Sequence, residues 1–126
     1  MIHPTPPAKS TKKVPASFFR TDAGNEPVRE WLKGLSDDDR KAVGRDIATA
    51  EYGWPIGMPL CRPMGNGLFE IRSYLSSGRI SRVLFCIAEG RIVLLHAFVK
   101  KTQKTPHSEL NIARANKHAL EKDAQG

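Results

Sequence analysis

Two apolar segments on either side of a short turn constrain most strongly what this chain can fold into. Residues 82–88 and 92–99 are rich in Val, Ile, Leu and Phe, which favour β-strands. Glu89-Gly90 separates them, and a two-residue spacer that contains glycine is typical of an antiparallel hairpin. We therefore predict strands over residues 80–88 and 91–100 as the centre of the fold.

A third strand is predicted directly before this hairpin. Residues 68–75 alternate between apolar and polar side chains, which is the pattern of a strand with one buried face. The Ser-Ser-Gly-Arg segment at 76–79 then predicts a turn. The three strands are expected to form an antiparallel meander.

Start and stop signals predict three helices. The first begins near Asn25-Glu-Pro, because proline in the first turn of a helix costs no backbone hydrogen bond. The second begins at Ser36, which opens a Ser-x-x-acid capping box, and ends near Gly53. The third begins at Thr105-Pro106. We interpret Asp37–Asp39 as capping carboxylates rather than metal ligands, because consecutive helical side chains diverge around the axis.

The remaining segments complete a single domain. Residues 14–20 predict a short first strand, and residues 55–67, with three prolines and three glycines, predict a connecting loop. Residues 1–13 combine three prolines with three lysines and predict a disordered tail. We expect one α+β domain over residues 14–124.

The charge balance favours a polyanionic partner. There are 20 Lys and Arg residues against 13 Asp and Glu, a formal net charge of +7, which promotes binding to nucleic acid. Cys61 and Cys86 lack the spacing of metal ligands, so neither a metal nor another cofactor is expected. The longest apolar run is too short to cross a membrane. These features predict a cytoplasmic protein without a membrane partner.

The strand register decides which charged side chains share a face of the sheet. A two-residue turn at Glu89-Gly90 places Arg82 on the opposite face from His96, whereas one extra residue in a glycine bulge brings the two together. If residues 76–79 form a four-residue turn and Glu89-Gly90 a two-residue turn, Arg72 lies on the His96 face. The sequence leaves these registers open.

Four segments carry a resemblance to a known family. They are Asn-Glu-Pro-Val-Arg-Glu-Trp-Leu at 25–32, Leu-Phe-Glu-Ile-Arg at 68–72, Ser-Arg-Val-Leu-Phe at 81–85, and Ile-Val-Leu-Leu-His-Ala-Phe-Val-Lys-Lys-Thr-Gln-Lys-Thr-Pro at 92–106. Together, over about residues 16–120, the chain resembles the phage-related HigB-like branch of the RelE/ParE toxin superfamily.

This resemblance implies both a fold and a function. The implied fold is a compact RelE-like domain in β-α-α-β-β-β-α order, with helices packed on one sheet face and a basic concave surface. The implied function is that of a type II toxin, an endoribonuclease that cleaves mRNA, often on the translating ribosome. A cognate helix-turn-helix antitoxin would neutralise it in a hetero-oligomer.

The chemistry implied by the resemblance needs no metal. The RNA 2′-hydroxyl attacks the adjacent phosphorus, so the site requires a base, cations for the crowded phosphorane and an acid. Arg72 and Arg82 are candidate catalytic residues because a guanidinium group grips two phosphate oxygens, and His96 is a candidate base or acid. The alternatives are salt bridges of the arginines with Glu70 or Glu89, and a core histidine.

Further candidate RNA ligands lie in the meander and just after it. They are Arg79, Phe98, Lys100, Lys101 and Lys104. A lysine crowded by other cations can have a lowered pKa and act as a base, and an aromatic ring can stack on an RNA base. The alternatives are a solvated lysine run and a core phenylalanine.

Two other functions are compatible with the same resemblance. One is a ParE-like inhibitor of DNA gyrase, which acts by binding and not by catalysis. The other is a catalytically inactive module that binds RNA or its antitoxin.

Overall fold

The computed structural model describes residues 12–100 and 105–125 of the chain. The elements are β1 (Ala16–Phe18), α1 (Pro27–Lys33), α2 (Asp37–Gly53), β2 (Cys61–Gly65), β3 (Leu68–Tyr74), β4 (Ile80–Ala88), β5 (Arg91–Lys100) and α3 (His107–Gln125). A single 3₁₀ turn, Ser76–Gly78, lies between β3 and β4.

The strands form a single sheet in the order β1-β5-β4-β3-β2. β1 runs parallel to β5, and all other neighbours are antiparallel. The meander of β3, β4 and β5 has the predicted bounds within one residue, and the α+β class is confirmed. The predicted helix starts are also close to the observed ones, with Pro27 at the first turn of α1 and the Ser36 hydroxyl accepting a hydrogen bond from the Asp39 amide at 3.2 Å.

The expected loop over residues 55–67 is wrong in its second half, where the structure has the edge strand β2. Asn66 and Gly67, with φ angles of 56° and 77°, form a two-residue turn that brings Gly65 opposite Leu68. Asn-Gly is well suited to such hairpin turns because both residues tolerate positive φ. Pro63 is compatible with β2 because an edge strand need not donate every backbone hydrogen bond.

The helices cover both faces of the sheet, which differs from the expectation of helices on one face. Helices α1 and α2 pack on the face that carries Val83, Phe85 and Leu94, here called the α1/α2 face. Helix α3 packs through Leu110 and Ala113 on the opposite face, here called the α3 face, against side chains that include Leu84, Leu95 and Phe98. The central strands are apolar on both faces, so both must be covered to bury them.

A β-bulge in β5 changes which side chains reach the α3 face. Ala88 pairs with Arg91, so Glu89-Gly90 is the predicted two-residue turn. Further along, Phe85 pairs with Leu94 but Leu84 pairs with His96, so Leu95 is an extra residue in β5. The Asn116 side chain of α3 donates a hydrogen bond to the Leu95 carbonyl at 2.8 Å. The extra residue is therefore in β5 and not in the turn.

Most of the predicted tail lies outside the described residues. Lys12 and Lys13 are described, and both contact Glu51 of α2: the Lys12 Nζ is 3.2 Å from a carboxylate oxygen, and the Lys13 amide donates to the backbone carbonyl at 3.0 Å. Within the described part of the chain, no helix is both long and apolar enough to span a bilayer.

We expect the core on the α1/α2 face to depend on Phe85, which is fully buried, with its ring centroid 5.4 Å from that of Trp54. Phe85→Ala should lower the free energy of unfolding by about 3–5 kcal/mol because it leaves a cavity. Ile87→Ala, at a partly exposed position of the same strand, should cost less than about 1.5 kcal/mol. Urea unfolding of both variants measures this difference, and equal losses would contradict the assignment of the core.

Candidate functional site

Arg72 and Arg82 lie directly opposite each other on β3 and β4. Arg82 in turn pairs with Phe98 on β5, so the three side chains form one row across the sheet. Directly paired residues point to the same side, and all three lie on the α3 face. The two arginines that the sequence could not place on a common face therefore do share one.

The neighbouring rows add charged and polar groups to the same face. Glu70, Leu84 and His96 form the row on one side, and Tyr74, Ile80 and Lys100 form the row on the other. On the edge strand β2, Arg62 pairs with Glu70. Four basic residues of this face, here called the cationic cluster, are Arg62, Arg72, Arg82 and Lys100. His96 is thus on the same face as the cluster, because the bulge at Leu95 shifts the alternation of β5.

Arg82 forms a buried ion pair with Glu70. The two side chains are 1% and 0% exposed, and an Arg82 Nη1 to Glu70 Oε1 contact joins them. The second carboxylate oxygen of Glu70 accepts a hydrogen bond from the Thr105 hydroxyl. The structure thus contains the salt bridge that the sequence left as an alternative. It holds the Arg82 guanidinium in the floor of the site rather than at its surface.

Lys100 is a buried cation with a lowered pKa. It is 6% exposed, and its Nζ has no hydrogen-bond partner among the described residues. Burial, and then the Arg82 charge, lower the pKa of Lys100 to about 8, while Glu70 acts in the opposite direction. The Arg72 and Arg62 charges lower this pKa further. A lysine in this state can exchange a proton near neutral pH.

Arg72 is the arginine of the central row that remains partly exposed. Its Nε is buried without a hydrogen-bond partner among the described residues. The side chain also lines a shallow pocket at the sheet edge, together with Tyr74. Arg72 can therefore bind an anion from solvent, which the buried Arg82 cannot do in this conformation.

His96 and Phe98 are held against α3. Their rings stack with centroids 5.7 Å apart and an interplanar angle of 26°. The His96 Nε2 lies 2.6 Å from a carboxylate oxygen of Glu109, in the first turn of α3. Phe98 is 7% exposed and belongs to the core under α3, as in the alternative interpretation of this residue. His96 has a carboxylate partner that fixes its ring.

Arg79 lies apart from the cationic cluster, at the connection between β3 and β4. Its Nη2 is 2.5 Å from a carboxylate oxygen of Asp39, and its Nε donates to the Ser76 carbonyl at 3.2 Å. The hydrogen bond from the Ser76 amide lowers the pKa of Asp39, and Arg79 adds to this effect. The contacts of Arg79 thus tie the connection to the start of α2. Lys101 and Lys104, the other predicted RNA ligands, lie outside the described residues.

Sequence reasoning missed several members of the site. Arg62 was assigned to a loop, and the Asn66-Gly67 turn was the signal that could have placed it on a strand beside Glu70. The sequence predicts Glu70 only as a salt-bridge partner. Glu70 lies two residues before Arg72 along β3, however, so the two side chains must share a face of the sheet. No sequence signal indicated the contact of Thr105 with Glu70.

The protein has a five-stranded sheet with two helices on one face and a third helix on the other. The cationic cluster lies on the same face as the third helix. This architecture is that of a compact RelE-like α+β domain. A family profile described as Phage derived protein Gp49-like (DUF891) matches residues 30–118. The chain therefore belongs to this Gp49-like family, a RelE-like toxin family of toxin–antitoxin systems. No curated protein matches the chain.

The two paired arginines should differ sharply in their effect on stability. Arg82→Ala leaves the buried Glu70 carboxylate without its partner and should cost about 3–5 kcal/mol of unfolding free energy. Arg72→Ala, directly across the strand pair, should cost less than about 1 kcal/mol because that guanidinium is partly exposed. Denaturant titration of both variants tests this, and a small loss for Arg82→Ala would show that the ion pair contributes little.

Lys100→Met should make the folded protein more stable at pH 7, by about 1–2 kcal/mol, because it removes a buried charge. The wild-type lysine loses its proton at about pH 8 when folded but near pH 10.5 when unfolded, so the advantage of the variant should shrink across that interval. Lys41→Met, at an exposed position of α2, is the matched control. Urea unfolding from pH 7 to pH 10.5 measures the difference, which would stay constant with pH if Lys100 were an ordinary surface lysine.

Proposed function

We propose that this protein is the toxin of a type II toxin–antitoxin module, of the HigB-like branch, and that it is an endoribonuclease that cleaves mRNA. Its membership of a toxin-like family supports the first part of the proposal. The pairing of Arg72 with Arg82, next to Lys100 on one sheet face, is the observation that carries the second part. The proposed reaction is attack of the RNA 2′-hydroxyl on the adjacent phosphorus, without a metal.

The cluster supplies positive charge where a phosphate diester becomes more negative. With Lys100 protonated, the four cations and the Glu70 carboxylate leave an excess of three positive charges, and with Lys100 unprotonated the excess is two. Arg72 contacts the phosphate oxygens directly in this proposal, since its guanidinium is partly exposed and can bind two oxygens at once. Fixed charges in a partly desolvated site stabilise a phosphorane more effectively than water does.

Arg82 acts from below the reacting phosphate. Glu70 holds its guanidinium in one orientation, so it cannot turn away when the substrate binds. Its charge lowers the pKa of Lys100, which is on the diagonal position of the next strand. In this proposal Arg82 is a positioning residue, and Arg72 is the phosphate ligand.

Lys100 and His96 are the groups proposed to move protons. Lys100, with a pKa of about 8, is partly unprotonated at neutral pH and is proposed as the base for the 2′-hydroxyl. Because its Nζ is buried, this role requires a side-chain movement that exposes the Nζ when RNA binds. His96 is proposed as the acid for the leaving 5′-oxygen, because the Glu109 carboxylate beside its Nε2 holds the ring in one orientation on the face that carries the cluster. The 5′-oxygen leaves with this proton, and the product carries a 2′,3′-cyclic phosphate.

The proposed partners follow from the same chemistry. The substrate is mRNA, either free or on the ribosome, and the net charge of +7 favours such a polyanion. A cognate helix-turn-helix antitoxin would form a hetero-oligomer with the chain in the cytoplasm. Coexpression with the neighbouring small gene tests this partner by copurification.

Induction of the chain in a bacterium should arrest growth and create new transcript 5′ ends. In vitro, the purified protein should cleave an RNA oligonucleotide but not the same oligonucleotide with 2′-O-methyl groups, because the nucleophile is then blocked. Arg72→Ala should reduce the rate by about 10²-fold or more, since it removes a phosphate ligand. Arg29→Ala, an exposed arginine of α1, should leave the rate unchanged.

Three outcomes would overturn this proposal. Cleavage of the 2′-O-methyl substrate would exclude 2′-hydroxyl attack, and growth arrest with a DNA-damage response but intact transcripts would indicate a gyrase inhibitor. An absence of toxicity would indicate a module that only binds RNA or its antitoxin.

A further inference from the structure

A small pocket at the edge of the sheet adjoins the cationic cluster and has no role in the mechanism above. It has a volume of about 160 Å³ and is lined by Asp46, Pro59, Leu60, Arg72 and Tyr74. We infer that this pocket is a base-binding subsite that selects guanine next to the cleaved linkage. The inference rests on the proposed endoribonuclease function and adds its substrate preference.

The walls of the pocket suit a flat ring. Tyr74, the last residue of β3, is 68% exposed, which is unusual for a large aromatic side chain. Pro59 and Leu60 provide apolar surface beside it. Pockets for drug-sized ligands start at roughly 300 Å³, so this smaller one suits a fragment of the size of a single nucleobase. An exposed aromatic ring next to a cationic surface is the usual platform for an unpaired RNA base.

Asp46 gives the pocket a preference among bases. Asp46 is partly buried, and its carboxylate has no hydrogen bond or salt bridge to any described residue. Burial, and secondly this carboxylate, raise the pKa of the neighbouring Cys61 to about 11. An ionised carboxylate only accepts hydrogen bonds, so it requires donors on the ligand. The Watson–Crick edge of guanine offers two parallel donors, N1–H and the N2 amino group, whereas adenine and cytosine offer one amino group and uracil one N–H.

Arg72 connects the pocket to the cluster. It lines the pocket and also pairs with Arg82 across β3 and β4. Its backbone amide donates to the Leu60 carbonyl at 3.1 Å, which fixes the distance between the pocket wall and the sheet. A base held by Asp46 and Tyr74 would therefore have its own phosphate near Arg72.

Binding of mononucleotides tests the pocket without any cleavage. Guanosine 5′-monophosphate should shift the amide NMR signals of Asp46, Leu60, Arg72 and Tyr74, with an affinity at least about tenfold higher than that of adenosine 5′-monophosphate. Inosine 5′-monophosphate lacks the N2 amino group and should fall between the two. Asp46→Asn should abolish the preference for guanine, whereas Asp38→Asn, at an exposed position of the same helix, should keep it.

Cleavage of RNA oligonucleotides gives the second measurement. Substrates that differ only in the base next to a single cleavable linkage should be cut at least about tenfold faster with guanine than with adenine. Asp46→Asn should lower this ratio mainly by slowing the guanine substrate. Tyr74→Ala should raise KM about tenfold for every base, and Tyr74→Phe should have little effect because the ring is retained.

The outcomes separate this inference from the proposed function. Binding of guanosine 5′-monophosphate with the expected preference but no cleavage would support the pocket and overturn the nuclease. Cleavage without base preference, or equal binding of the two mononucleotides, would overturn the pocket and leave the nuclease intact. If Asp46→Asn does not fold, the wild-type preference and the Tyr74 variants still decide the question.

Discussion

The extra residue at Leu95 determines which face of the sheet carries the charged groups. In a regular strand, side chains two residues apart share a face, so His96, Phe98 and Lys100 would follow Leu94 into the core under α1 and α2. The bulge shifts the alternation and sends these three side chains to the α3 face. The hydrogen bond from Asn116 to the Leu95 carbonyl satisfies a backbone group that the bulge removes from regular pairing. The bulge at Leu95 thus links the packing of α3 to the position of the cationic cluster.

The buried charges beside the bulge are tolerated because they form a connected set. Glu70 contacts both Arg82 and Thr105, so the carboxylate is satisfied on both oxygens. Replacement of such a pair by apolar residues is often neutral or stabilising, so its presence is not explained by stability alone. Lys100, in contrast, is left with an unsatisfied ammonium group among the described residues. A group that destabilises the fold at neutral pH but stands next to two arginines is typical of a functional site.

The sequence predicted the elements that depend on local signals. The capping hydroxyl of Ser36, the proline at the start of α1 and the Glu89-Gly90 turn all act over a few residues, and each was found where expected. The bulge at Leu95 accepts a hydrogen bond from Asn116, some twenty residues away along the chain, and no local pattern in the sequence indicates its position. The sequence also did not predict the ion pair of Arg79 with Asp39, because Asp39 belongs to α2, far away along the chain. Long-range contacts thus decided which of the predicted basic residues meet.

Strand β2 was missed for a different reason. Its signal was local, since Asn66-Gly67 is a strong turn pair, but the surrounding prolines and glycines favoured a loop. Pro63 is acceptable only because β2 is at the edge, and the position of a strand within a sheet is not visible in the sequence. The consequence for the site was the omission of Arg62.

The central strands and the sheet edge make separate contributions to the site. Arg72 pairs directly with Arg82, and Lys100 pairs with Ile80 of the same strand as Arg82, so backbone pairing fixes the relative positions of the three cations. The far wall of the edge pocket comes from Asp46 of α2 and from the segment before β2, whose Leu60 carbonyl accepts a hydrogen bond from the Arg72 amide. In the proposed base subsite, substitutions in that wall would change which base is accommodated without moving the proposed phosphate ligand. Because Arg72 belongs to both parts, a base that fits poorly would displace the phosphate as well, so that recognition and cleavage are coupled through one side chain.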